Sequence, residues 1–331
     1  MVFSEQTTIM GFIKDIEVIL KEQLRKFPYN TMGNFLKFYE DFKQQDTLSL
    51  VPFFVHYKPI VLQKSLSCVG LSCCLISAIL KSHIVRNFPN LKFCLFRVSC
   101  EECISELDLV CLSSPKPEAL KEHVLVAIKI KLENREGVIL LDPGYHIGIP
   151  IIIMADKQYP HTGWFVQSQT VKSKKEYNYI LHPSLKYVNW TVRETRGGNT
   201  EVIENLIYVG SEYVTHVSVS EKRNLVYNFH TLVARDGNSA VAGLYCSFGD
   251  NARYTIFYRN EVGERVECKI PMSYFMESQL NPNYELAISI CSVQLKSNLQ
   301  FLKNMMRNVV QANMDAEFMP VMLQINKKLD K

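Results

Sequence analysis

Two apolar stretches, His123-Val-Leu-Val-Ala-Ile-Lys-Ile130 and Val138-Ile-Leu-Leu-Asp142-Pro-Gly-Tyr145, carry the strongest fold signal in the sequence. Each has the length and the Val, Ile and Leu content of a buried strand, and a short polar segment separates them. We expect two antiparallel neighbours joined by a turn over residues 132–137, so that His123 and Asp142 lie at the same end of a hairpin. The interval of 19 residues between His123 and Asp142 suits two strands of about seven residues and a short turn.

A helix is predicted upstream of this hairpin, over residues 64–82. Ser65 and Ser67 are candidate N-caps, because serine side chains accept hydrogen bonds from the first N–H groups of a helix. Apolar residues recur at helical spacing, at Leu71, Leu75, Ala78 and Ile79. Cys68 therefore falls at or near the first turn of the predicted helix.

Cys68, His123 and Asp142 follow one another in the order of a Cys-His-Asp triad. A thiol is a useful nucleophile as the thiolate, and the positive end of a helix dipole favours that form. A histidine at a strand edge can take and return a proton near neutral pH. An aspartate can hold the imidazole in one orientation and stabilise the imidazolium. The sequence thus predicts Cys68 as nucleophile, His123 as base and acid, and Asp142 as the orienting carboxylate.

Each of these residues also has a structural interpretation. A cysteine at a helix start is commonly a packed small hydrophobe, and a lone histidine at a strand edge is commonly structural. Cys73 and Cys74 lie in the same predicted helix and are the alternative nucleophiles. Gln63 is a candidate oxyanion donor, although backbone N–H groups around Cys68 are the stronger candidates.

The composition is that of a globular protein, with 47% hydrophobic and 21% charged residues among 331. Disordered and collagen-like classes are excluded, and the length corresponds to about two domains. A formal charge of +4 is small, and acids and bases are interspersed. We therefore expect neither a nucleic-acid partner nor a membrane partner.

The ten cysteines are too few for a disulfide scaffold. No charged segment followed by an apolar core opens the chain, so we expect no secretion signal and reduced thiols. No stretch offers the ~20 uninterrupted apolar residues that a membrane span needs. The expected location is the cytoplasm.

The rest of the chain predicts an α+β protein. Helical spacing covers the first 45 residues and residues 299–310, while short runs rich in Val, Ile, Phe and Tyr predict strands between residues 91 and 293. These strands include residues 91–98, 213–219 and 286–293, and the loop candidates are residues 112–121 and 193–202. We divide the chain into a helical region with the nucleophile helix (1–90), a β-rich catalytic half (91–200), and strands followed by C-terminal helices (201–331).

The three segments around Cys68, His123 and Asp142 resemble the branch of the papain-like cysteine superfamily that contains arylamine N-acetyltransferases and transglutaminase-like proteins. The likeness is carried by His123 and its apolar strand, a turn, and the strand that ends in Asp142-Pro-Gly-Tyr145. The N-terminal helices, Val51-Pro52-Phe53 before the Cys68 segment, and the helical C-terminal end fit the three-part layout of the acetyltransferases.

The resemblance implies a papain-like fold with an N-terminal helical region, a central antiparallel β-rich barrel or sheet and a C-terminal helical segment. It also implies an acyltransferase in which Cys68 accepts an acetyl group from acetyl-CoA and passes it to an amine. His123 then acts as base and acid, and Asp142 orients it. The expected substrates are a small-molecule amine or a peptide.

The chain departs from the acetyltransferase pattern at two places. Ser65-Leu66-Ser67 stands where those enzymes usually have Arg-Gly-Gly, and Pro143-Gly144-Tyr145-His146 stands in place of a Gly-Phe-Gly-like turn. The Cys-Val-Gly-Leu-Ser run and the Asp-Pro pair are closer to transglutaminase-like sequences. The alternatives are therefore transglutaminase-like or cysteine peptidase activity on proteins, and a non-catalytic binding module that keeps the fold. Acyl donor, acceptor and oligomeric state stay open.

We expect no metal site and no permanently bound cofactor. Cys100 and Cys103 form a C-x-x-C unit, with Cys94 and Cys111 nearby, but no second pair or histidine ligand follows at zinc-binding spacing. Residues that would bind a cofactor are not assigned, and acetyl-CoA enters only as the implied acyl donor.

Overall fold

Helices occupy the two ends of the chain and strands its middle in the computed structural model. The structure describes residues 1–45, 49–61, 64–101, 123–170, 173–249, 252–277 and 280–329. The helices are α1 (Gln6–Lys26), α2 (Thr31–Lys43), α3 (Leu50–His56), α4 (Cys68–Lys81), α5 (Ile84–Asn87), α6 (Leu91–Cys94), α7 (Lys222–Val226), α8 (Pro282–Gln294), α9 (Leu299–Met314) and α10 (Met319–Leu329). A π-helical turn covers Val217–Glu221 and a 3₁₀ turn covers Met272–Met276.

Two short strands lie near the start of the chain, and longer strands fill most of the described chain between α6 and α8. They are β1 (Val2–Phe3), β2 (Tyr29–Asn30), β3 (Leu95–Glu101), β4 (His123–Leu132), β5 (Arg135–Leu141), β6 (Ile151–Met154), β7 (Phe165–Gln169), β8 (Ser173–Leu181), β9 (Tyr187–Arg196), β10 (Asn199–Tyr208), β11 (Phe229–Arg235), β12 (Ala240–Ser247), β13 (Arg253–Arg259) and β14 (Arg265–Pro271). This combination of helices and antiparallel strands confirms the α+β expectation at the level of a mixed protein.

The described chain divides into two compact units, and each is assembled from separated stretches of sequence. The first contains Met1–Leu24, Cys68–His216 and Gly237–Ser239, and the second contains Arg25–Ser67, Val217–Asp236 and Ala240–Lys331. The three regions expected from the sequence are consecutive, whereas these units are interleaved along the chain.

The first unit is built on a curled, largely antiparallel sheet. Its strand order among the described residues is β6-β5-β4-β3-β10-β9-β8-β7, and β1 runs parallel to β4 at Lys131 and Leu132, beyond the first residue of β3. Strand β4 is buried on both faces, because a core lies on each side of the sheet. Its alternate side chains point to opposite sides and so enter different cores. Val126 and Ile128 join a core with α1 and α4, while Leu125 and Ala127 join a second core with β8 and β9.

The second unit is built on an antiparallel sheet of strand order β14-β13-β12-β11-β2. Its core combines the buried face of this sheet with apolar side chains of α2, α3 and α8 to α10, among them Phe35, Phe38, Ile288, Met306 and Met322. Helix α2 begins at Thr31, and Asn30 caps it by accepting a hydrogen bond from Gly33 N at 2.8 Å.

The structure corrects four of the predicted elements. Residues 213–219, predicted as a strand, enter the π-helical turn instead, and residues 286–293 lie in helix α8. Residues 286–293 are helical and not a strand because Asn281 caps the start of α8 and Pro282 occupies its first turn. Residues 193–202 are the β9–β10 hairpin rather than a loop, with Gly197 and Gly198 at positive φ in the turn. Residues 91–94 form α6, so the strand starts later, at Leu95.

Two further hairpins, in which β11 pairs with β12 and β13 with β14, complete the sheet of the second unit. The predicted loop at residues 112–121 lies outside the described residues. No helix of the described chain has the length and apolar content to cross a membrane.

Candidate functional site

Cys68 is the first residue of helix α4, which therefore begins later than the predicted residue 64 and still has Cys68 in its first turn. The helix is held against β4 because Leu75 and Ile79 are buried in the core that β4 also joins. Ser72 adds a hydrogen bond from its hydroxyl to the carbonyl oxygen of Val124, at 3.2 Å. The N-terminal end of α4 is thereby set beside the start of β4, where His123 lies.

His123 and Asp142 meet at one end of the β4–β5 hairpin. His123 is the first residue of β4, and Asp142 directly follows β5. The antiparallel register, in which Val126 faces Leu141, brings the two residues to the same edge. His123 Nε2 lies 2.9 Å from Asp142 Oδ1, and both side chains are buried.

The Asp142 carboxylate is fixed by the turn that follows β5. Its Oδ1 accepts hydrogen bonds from the backbone N–H groups of Gly144, at 3.0 Å, and Tyr145, at 2.9 Å. This is the local side-chain to backbone pairing that aspartate favours in turns. Oδ2 is buried and has no hydrogen-bond partner among the described residues. The turn therefore orients the oxygen that meets His123.

Cys68 lies beside the His123 ring. The side chains of Cys68 and His123 are hydrogen-bonded to each other. Gly144 closes the space beside this pair. A Cβ atom at Gly144 would overlap Cε1 of His123 and would stand 3.0 Å from Cβ of Cys68. The three predicted residues are therefore brought together in one buried cluster.

The environment of His123 favours its charged form. Burial lowers the pKa of His123, but the charges of Asp142 and Cys68 and their hydrogen bonds to the ring outweigh it, and the pKa lies well above its usual value. A protonated ring between a carboxylate and a sulfur is the state from which a cysteine nucleophile paired with histidine acts.

An aromatic cluster borders Cys68, His123 and Asp142. It lies on the face of the sheet where Leu125 and Ala127 pack with β8 and β9. Tyr145 packs edge-on against His123, with ring centroids 4.3 Å apart, and against Trp190 at 5.4 Å. Trp190 stacks on Tyr179 at 5.7 Å. Burial and then the charge of Asp142 hold the pKa of Tyr179 well above its usual value. The sequence interpretation assigned no role to Tyr145, Tyr179 or Trp190, although the quoted Asp142-Pro-Gly-Tyr145 segment contained the first of them.

The other sequence candidates lie in different settings. Cys73 is half-buried, and its sulfur is 3.9 Å from Nη1 of Arg97. Cys74 is also half-buried. Gln63 lies outside the described residues, as do Cys103 and Cys111, so the C-x-x-C unit is described only at Cys100. In the described stretches no group of three or more His, Cys, Asp or Glu side chains is arranged to hold a metal ion.

Comparisons with family models, with curated proteins and with solved structures found no match for this chain.

Proposed function

We propose that this protein is an acyltransferase of papain-like fold that carries the acyl group as a thioester on Cys68. The observation that supports the proposal is the continuous contact from the Cys68 thiol through the His123 ring to the Asp142 carboxylate. A sulfur beside a histidine that is itself oriented by a third group is the arrangement that nucleophilic catalysis requires.

In the first half-reaction the Cys68 thiolate attacks the carbonyl carbon of a thioester, for which we propose acetyl-CoA. A carbon–sulfur bond to Cys68 forms, and the bond from the carbonyl carbon to the donor sulfur breaks. The departing thiolate takes the proton held by His123. Backbone N–H groups at the positive end of α4 are suited to stabilise the oxyanion of the intermediate.

In the second half-reaction an amine attacks the acyl group on Cys68. His123, now neutral, takes the proton that the amine loses as the new carbon–nitrogen bond forms. The bond between the carbonyl carbon and the Cys68 sulfur breaks, and the thiolate returns beside a protonated His123. Asp142 stays charged throughout and stabilises the imidazolium in both halves.

A non-catalytic binding module is the second candidate, and the burial of the site favours it. Cys68 is 1% exposed and His123 is 4% exposed, so a substrate carbonyl reaches the sulfur only when the groups that cover it move. A protein that keeps the fold for binding alone has no need of that opening.

The two candidates are separated by trapping the acyl-enzyme. The protein is incubated with acetyl-CoA, and separately with a glutamine-containing peptide, and its intact mass is measured. We expect a mass gain of one acetyl group with acetyl-CoA, retained in Cys73→Ala and lost in Cys68→Ala. An adduct with the peptide alone would instead indicate transglutaminase-like or peptidase chemistry. The absence of any Cys68-dependent adduct would reject the enzyme and leave the binding module.

A further inference from the structure

A buried carboxylate anchors the residue that precedes Cys68. Glu221, at the end of the π-helical turn, is 1% exposed. Its Oε1 accepts a hydrogen bond from Asn34 Nδ2 at 2.9 Å, and its Oε2 accepts one from the hydroxyl of Ser67. Burial raises the pKa of Glu221 to about 7, and the hydrogen bonds from Ser67 and Asn34 act in the opposite direction.

The two residues before Ser67 are tied to the start of α2. Asn30 N donates to the carbonyl oxygen of Leu66 at 2.8 Å, and Asn30 Nδ2 donates to the hydroxyl of Ser65 at 3.1 Å. Gly33 gives this segment room, because a Cβ atom there would overlap the Ser65 side chain. All three residues from Ser65 to Ser67 are therefore held by side-chain or backbone hydrogen bonds within the second unit.

Burying the Glu221 carboxylate lowers the stability of the folded protein, which indicates that Glu221 has a role beyond folding. An acid removed from water loses several kcal/mol of solvation free energy, which neutral hydrogen bonds offset only in part. π-helical turns are rare and occur often at functional sites. Glu221 receives its hydrogen bond from Ser67, and a peptide bond joins Ser67 to Cys68.

We propose that Glu221 is a positioning residue for Cys68, acting through Ser67. The inference rests on the proposed function, since it gives Cys68 the role of nucleophile. By fixing the Ser67 side chain, Glu221 limits the rotations of the peptide unit that leads into Cys68, and so limits the directions in which the thiol can point. A displacement of about 1 Å at a reacting group can slow a reaction by about 100-fold.

The first measurement is the pKa of His123 by histidine NMR, because the Cys68 sulfur contributes to raising it. In Glu221→Ala the sulfur loses its fixed position, and we expect the pKa of His123 to fall by about one pH unit, a tenfold change in its proton affinity. Ser67→Ala should give a similar fall. Glu221→Gln should restore the wild-type value to within about twofold in proton affinity, since an amide can pair with both Ser67 and Asn34.

A double-mutant cycle tests whether the effect passes through the thiol. In a Cys68→Ser background, Glu221→Ala should leave the pKa of His123 unchanged. Asp315→Asn is the matched control for lost stability in the same unit, because Asp315 accepts hydrogen bonds from Tyr39 and Lys43. It should destabilise the protein without moving the pKa of His123.

The acylation rate of Cys68 by acetyl-CoA is the second readout, and we expect it to fall at least tenfold in Glu221→Ala. An unchanged pKa of His123 in folded Glu221→Ala would overturn the positioning role, as would a fall that persists in the Cys68→Ser background. The NMR readout needs no acyl donor. A failure of acetyl-CoA to acylate the wild type therefore rejects the proposed function without deciding the role of Glu221.

Discussion

At the scale of single residues, the site depends on one carboxylate oxygen with several partners. Asp142 Oδ1 meets the His123 ring and two backbone N–H groups of its own turn. The turn thus aligns the oxygen, and the charge of the carboxylate then acts on a buried ring. An asparagine at position 142 separates these two effects, because its amide oxygen can keep the hydrogen bonds of the turn while the negative charge is lost.

Asp142→Asn should lower the pKa of His123. The amide oxygen still accepts the turn hydrogen bonds, but the negative charge that raises the pKa is lost while the burial that lowers it remains. The measurement is an NMR titration of the His123 ring, with the wild type as reference. An unchanged pKa would mean that the charge of Asp142 does not control the protonation of His123.

Gly144→Ala should disrupt the Cys68–His123 pair. The new methyl group overlaps Cε1 of His123 and crowds Cys68, so the ring must turn away or the turn must shift, at a cost of about 1–3 kcal/mol. Urea unfolding measures the cost, and the pKa of His123 should fall at the same time. Gly11→Ala is the matched control, because no atom lies within 4 Å of the added Cβ, and alanine favours a helix by up to about 1 kcal/mol. Equal stability of the two variants would contradict the close approach at Gly144.

At the scale of elements, the packing of α4 on β4 brings the thiol to the histidine. The helix has one face buried by Leu75 and Ile79 and another that exposes Leu80. Neither element carries the site alone, since Cys68 belongs to the helix and His123 to the strand. The stability of this contact therefore limits how well the site is formed.

Leu75→Ala should destabilise the protein by about 2–5 kcal/mol. Leu75 is fully buried between α4 and the sheet, and its truncation removes apolar contacts and leaves a cavity. The free energy of unfolding in urea measures the loss. Leu80→Ala in the same helix should change it by less than about 0.5 kcal/mol, because Leu80 is 39% exposed. Similar losses in both variants would contradict the packing of Leu75 on the sheet as the contact that holds α4 in place.

At the scale of the whole molecule, stability should depend on the ionisation of Glu221. Its pKa rises from 4.5 in the unfolded chain to about 7 in the folded protein. The folded state therefore binds a proton more tightly, and its added stability is complete below about pH 4.5 and is lost as the pH rises through about 7. The loss amounts to about 3 kcal/mol.

Glu221→Gln should remove this dependence, because an amide does not ionise. Urea unfolding over a series of pH values compares the variant with the wild type. We expect the difference in unfolding free energy between them to change by about 3 kcal/mol between pH 4.5 and pH 8, with the variant gaining relative to the wild type as the pH rises. Parallel curves would show that Glu221 keeps an ordinary pKa in the folded protein.

The proximity of His123 and Asp142 could be predicted from the sequence more reliably than the secondary structure of residues 213–219 and 286–293. The β4–β5 hairpin follows from two apolar runs and a short polar turn, and the short turn between Leu132 and Arg135 sets its register. Residues 213–219 and 286–293 misled the prediction because short runs of Val, Ile and Leu occur in both strands and buried helices. At the second of these, Asn281 and Pro282 were the helix-start signals that should have decided the question.

The sequence by itself determined the mixed class, a helix with Cys68 near its first turn, and the hairpin that joins His123 to Asp142, because these follow from local periodicity and turn formation. Only the tertiary structure decided that Tyr145 and Trp190 border the triad and that Glu221 holds Ser67. Trp190 and Glu221 are distant in the chain from the residues that they contact, and no local pattern marks an acid that will be buried. They meet because the packing of each unit places them together, which is a property of the whole fold.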